Sequence, residues 1–167
     1  MIRIILILLY SSISFTLNAT DIRSDFHKNM FSEKKLTLLT ESKVYPNNNL
    51  TLAYKAIGKT MLADHMYLPT TKLKYFNSGK ADLEKVIKKE PKNIEFRYLR
   101  LLIQLNAPFF LNYNTEIDND INLLTTELNN SPINTYWKIK FIDNLLAIDE
   151  LNPKQITKLK TLKKKIL

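Results

Sequence analysis

Glycine occurs only twice in this chain of 167 residues, and six prolines fall mostly between stretches whose apolar residues recur every three or four positions. A β-sandwich or barrel needs many tight turns, which a chain so poor in glycine cannot supply. The pattern predicts an all-α protein of about seven helices, with proline as the punctuation. The length suits one domain with a proper core rather than two. One helical domain is expected over residues 20–167.

Residues 1–19, MIRIILILLYSSISFTLNA, carry one positive charge, an apolar run and a small residue at Ala19. This is the pattern of a secretory signal peptide, with cleavage expected after Ala19. An uncleaved anchor is the other reading, although the run falls short of the ~20 apolar residues that span a bilayer. The chain is therefore expected to be exported, to the periplasm or beyond.

A helix is expected over Ser24–Lys43, with Phe26, Met30, Phe31, Leu36 and Leu39 as its apolar positions, broken by Tyr45-Pro46 and three asparagines. Leu50–Met66 follows, with Leu50, Tyr54, Ile57, Met61, Leu62 and His65 on one face. Thr71 is positioned to cap a helix running to Glu90, with Leu73, Phe76, Leu83, Val86 and Ile87 inward. Gly79 inside it costs about 1 kcal/mol against alanine, which implies a packing reason such as close contact with the preceding helix. Ile94–Leu105 is apolar nearly all round and should be the central helix. The loop Asn106–Asn114 holds Phe109, Phe110 and Tyr113, which either plug the core or line a groove. Helices are expected to start at Thr115-x-x-Asp118, at Ser131-Pro132 (running to Glu150) and at Asn152-Pro153.

The segments Lys74-Tyr75-Phe76 with Gly79, Glu90-Pro91-Lys92-Asn93, Glu95-x-Arg97-x-Leu99-Arg100, and Asn106-Ala107-Pro108 with Leu111-x-Tyr113-Asn114 resemble a family of small secreted or periplasmic helical proteins of Bacteroidetes with tetratricopeptide-like folds. The likeness covers residues 50–130. It implies antiparallel helical hairpins in a tetratricopeptide-like array in the cell envelope, and it implies no activity. Gly79, Leu83, Val86 and Pro91 match the small, large, small and proline positions of the repeat's second helix. The first-helix tryptophan and the Leu-Gly pair are missing. Helical hairpins end at Pro91 and Pro132, 41 residues apart, which exceeds the repeat's period of about 34 by the length of a loop.

The formal net charge of +9 is unevenly spread, for six lysines (Lys154, Lys158, Lys160, Lys163, Lys164, Lys165) lie in the last fifteen residues beside no acid. Residues 101–137 hold Glu116, Asp118, Asp120 and Glu127 and no base. The absence of cysteine excludes disulfides, thiolate metal sites and cysteine nucleophiles. His27 and His65 have no partner at ligand spacing, and His65 reads as a partly buried core residue. The acids at 116–120 lack the glycine and spacing of a calcium loop, and Gly79-Lys80 lacks the first glycine of a P-loop. No nucleophile elbow occurs. Neither an enzyme nor a cofactor is expected, and an exported chain is not expected to bind nucleic acid.

Two binding functions are expected instead. The first is capture of an envelope protein by a surface combining Arg97, Tyr98, Phe109, Phe110 and Tyr113. In it, charged Arg97 and Arg100 either pair with acids such as Glu84 or Asp120 or face an acidic ligand. The second is attachment of the lysine-rich last helix to an anionic membrane surface or other polyanion, against the plainer reading of a solvated capping helix.

Overall fold

The computed structural model describes residues 21–167; the expected signal peptide lies outside the described residues. Eight α-helices make up the described chain: α1 Ile22–Asn29, α2 Glu33–Glu41, α3 Asn49–Met61, α4 Pro69–Lys89, α5 Ile94–Asn106, α6 Ile117–Glu127, α7 Thr135–Leu146 and α8 Pro153–Ile166. Short 3-10 turns follow α3, α5 and α6, and no strand occurs among the described residues.

Asparagine starts many of these helices. Asn48, Asn93, Asn134 and Asn152 cap α3, α5, α7 and α8, each accepting a hydrogen bond from a first-turn backbone N–H that has no partner within the helix. At α8 the cap is reciprocal, since Gln155 reaches back to the Asn152 backbone while Pro153 opens the helix. Several expected starts move for local reasons. Pro69 takes the first turn of α4 and brings the start forward from Thr71. The Ser131 hydroxyl donates to the Leu128 carbonyl at 2.7 Å and finishes the preceding turn, leaving Asn134 to open α7. The expected helix over 24–43 divides into α1 and α2. The Asn29 side chain donates to the Asp25 carbonyl at 2.8 Å, competing with the backbone ladder, and Phe31 turns out to solvent at the break.

The helices pack as sequential pairs, α1 on α2, α3 on α4, α5 on α6 and α7 on α8. The first members of the pairs also touch in turn: α1 meets α3, α3 meets α5, and α5 meets α7. As expected, α5 is central, with residues from Ile94 to Leu105 buried on nearly every side. Leu73, expected inward, is largely exposed near the N-terminal end of α4, and His65 is exposed in the 3-10 turn rather than part of the core.

Gly79 lies directly against the backbone of α3. A Cβ there would stand 2.6 Å from both the Ala56 carbonyl oxygen and the Thr60 nitrogen, and closer still to Thr60 Oγ1. Those are backbone atoms of α3 and cannot swing aside. Gly79→Ala gains about 1 kcal/mol of helix propensity but forces two helices apart, a strain of about 1–3 kcal/mol that should win. Thermal unfolding should show a lower midpoint than the wild type; an unchanged or raised midpoint would refute the close contact.

Candidate functional site

A cleft of about 760 Å³ opens between the first members of the helix pairs. His27 and Met30 from α1, Ile57 and Thr60 from α3, Leu102 and Ile103 from α5, and Lys140 and Asn144 from α7 contribute to its lining. Its rim carries Phe31 and Pro108 together with Asp64, His65, Asp149 and Glu150. Phe31 is 84% exposed, and Phe109 and Phe110, which continue directly from Pro108, are 86% and 81% exposed. The cleft thus has an apolar floor, a polar rim and large uncovered aromatic rings beside it.

His27 stands in a ring of aromatics. Its imidazole lies 5.1–5.9 Å, centroid to centroid, from Phe26, Tyr54, Tyr98, Trp137 and Phe141. The Asn144 amide donates to His27 Nδ1 at 3.2 Å and to the Tyr98 hydroxyl at 2.8 Å. With Nδ1 accepting, the network assigns the proton to Nε2, which faces the Tyr54 hydroxyl at 3.5 Å. Tyr54 in turn donates to Glu95 at 2.6 Å, and Glu95 is clamped by Arg23 at 2.5 and 2.7 Å. Burial, followed by the nearby charges of Lys140 and Arg23, pushes the His27 pKa down to about 3, so the imidazole is neutral at physiological pH.

The residues expected to form one partner surface are not held together as one. Tyr98 is fully buried, stacked on Phe141 at 4.1 Å, and cannot reach a partner. Tyr113 is also buried; its hydroxyl donates to Glu84, and the Lys80 ammonium lies 4.3 Å above its ring. Asn106–Asn114 is therefore a plug at Tyr113 and an exposed ridge at Phe109 and Phe110. Arg97 is spent on structure, donating twice to the Pro91 carbonyl and once to Asp120 at 3.2 Å. Arg100 forms a two-pronged pair with Asp120, both bonds at 2.7 Å, and also reaches Glu84 at 3.1 Å. The acidic-ligand reading of this arginine pair is thereby replaced by the ion-pair reading: the acids come from α4 and α6, and the buried charges tie those helices to α5.

On α8, Gln155, Leu159 and Leu162 are buried against the body, and Lys158 and Lys163 bond to Asn122 and Asp143. Lys154, Lys160, Lys164 and Lys165 remain exposed. The helix has no apolar face left to insert into a bilayer, so any attachment to an anionic surface is electrostatic. No helix among the described residues is long and apolar enough to cross a membrane. Among the same residues no group of three or more metal-ligating side chains comes together, although His27 and His65 share the cleft.

Comparison with protein families, with curated proteins and with solved structures found no match to this chain.

The burial of His27 has a pH signature. The folded pKa of about 3 lies below the unfolded value of about 6.5, so the stability held by the neutral imidazole is complete above about pH 6.5 and lost as pH falls toward 3. In that window it should cost on the order of 1 kcal/mol per pH unit. Urea unfolding of His27→Gln between pH 6 and 4 should show a shallower loss than the wild type; parallel curves would refute the assignment.

Proposed function

We propose that this protein is a helical protein-binding or scaffolding module of the cell envelope, built as a tetratricopeptide-like array of antiparallel hairpins and acting after export. The observation that carries the reading is the cleft, to which α1, α3, α5 and α7 all contribute, together with the uncovered rings of Phe31, Phe109 and Phe110. Large exposed aromatics are the side chains that anchor protein interfaces, because they bury much apolar area at small entropic cost. The export pattern of residues 1–19 supports the envelope as the setting. The partner surface is accordingly Phe31, Phe109 and Phe110 rather than Tyr98 and Tyr113.

A second reading rests on the four exposed lysines of α8, which suit a peripheral contact with an anionic membrane surface or another polyanion. Removing α8 would strip Leu159 and Leu162 from the core, so charge reversal is the cleaner test.

Affinity capture from the native host's envelope fraction tests both. The wild type should retain one specific protein at physiological salt, and Phe31→Ala/Phe109→Ala/Phe110→Ala should lose it with helicity and melting unchanged. Capture that survives those substitutions would sink the cleft reading. Capture lost only on reversal of Lys154, Lys160, Lys164 and Lys165 to glutamate, with lipid or polyanion recovered from the wild type, would move the function to α8.

A further inference from the structure

The charge of the cleft runs against the charge of the molecule. Basic residues outnumber acidic ones by 25 to 16 in the whole chain. Among the residues lining the cleft, however, Asp64, Asp149 and Glu150 face a single permanent cation, Lys140. All three carboxylates are exposed, and none is in an ion pair among the described residues. The buried or half-buried acids behave differently: Glu84, Glu95 and Asp120 are all paired with arginine. His27 adds no positive charge at neutral pH, since burial holds it in the neutral form. Below this rim the floor is apolar, with Ile57, Met61, Leu102, Ile103 and Ile148 among its residues.

We propose that the cleft between α1, α3, α5 and α7 receives a segment of a partner protein in which apolar side chains are flanked by lysine or arginine. This rests on the protein-binding reading above and names the chemistry of its partner. The apolar side chains occupy the floor and leave water there. The flanking cations meet Asp64 in the 3-10 turn after α3 and Asp149 and Glu150 in the turn between α7 and α8, so they fix the segment's position along the cleft. An acidic segment would gain nothing from this rim and would meet like charge at each of the three carboxylates. Lys140 and His65 are donors available to carbonyl oxygens of the bound backbone.

The test uses the purified protein and three synthetic peptides of equal length and identical leucine pattern, whose polar positions are all lysine, all glutamate or all glutamine. Three exposed charge pairs, each worth up to about fivefold, make a preference of about tenfold for the lysine over the glutamate peptide the expected result in fluorescence anisotropy. That preference should collapse at about 1 M salt, where the screening length falls to about 3 Å. It should also collapse in Asp64→Asn/Asp149→Asn/Glu150→Gln, which alters only exposed side chains. A preference that persists in this variant overturns the proposal, because the selecting charge then lies elsewhere. Equal binding of all three peptides, or tighter binding of the glutamate peptide, lost in Phe31→Ala, overturns the charge assignment and leaves the protein-binding reading standing. Binding of none overturns the proposed occupant, and the capture experiment then decides whether the broader reading falls with it.

Discussion

The fold depends on how one nearly all-apolar helix disposes of its charges. Helix α5 carries Glu95 near its start and Arg100 in its middle, both about 4% exposed. Neither can be buried without a partner of opposite sign, because an unpaired charge in a low-dielectric interior costs more than the domain's margin of stability. Arg23 answers from α1 and Asp120 from α6, each with two charge-assisted bonds in parallel. Hydrophobic burial explains why α5 is central. The ion pairs explain which neighbours lie where, because apolar contact is not directional and a two-pronged carboxylate clamp is.

The same requirement runs on into the cleft. Glu95 is shared between Arg23 and the Tyr54 hydroxyl, and Tyr54 faces His27, whose other nitrogen is held by Asn144. A line of polar contacts thus links α1, α3, α5 and α7 through a cluster of aromatic rings. Each member is satisfied by the next, which is the condition under which a buried polar network organises a core rather than weakening it. Gln104 is the exception, buried with neither amide atom bonded among the described residues.

Much of the fold was legible from local signals. Proline stops, asparagine turns and stripes at helical spacing located the helices, because caps and periodicity are properties of a few adjacent residues. Even the Arg100–Asp120 and Arg100–Glu84 pairs could be anticipated, since charges on an otherwise apolar helix demand partners. The site was legible only in fragments. Tyr98 and Tyr113 were assigned to a partner surface, yet Asn144 and Glu84 satisfy their hydroxyls inside. The residues around His27 are drawn from positions 26, 54, 98, 137, 141 and 144, a spacing that no periodicity connects. Phe31 was assigned inward on a continuous helix; the break after Asn29, where a side-chain bond competes with the backbone ladder, turns it outward.

The backbone contact at Gly79 also limits how the molecule can deform. With α4 resting on the main chain of α3 at a single Cβ-less position, a slide of one helical turn in either direction would drive the side chain of Tyr75 or Leu83 into the Ala56–Thr60 turn. These two helices are therefore keyed like a shaft in a slot, and motion between them is blocked in steps rather than resisted smoothly. Any widening of the cleft has to be taken up elsewhere, at the joints between successive pairs. At the joint between α2 and α3, for example, Gly58 faces the side chains of Leu36, Leu39 and Thr40, which can change rotamer without moving a helix axis.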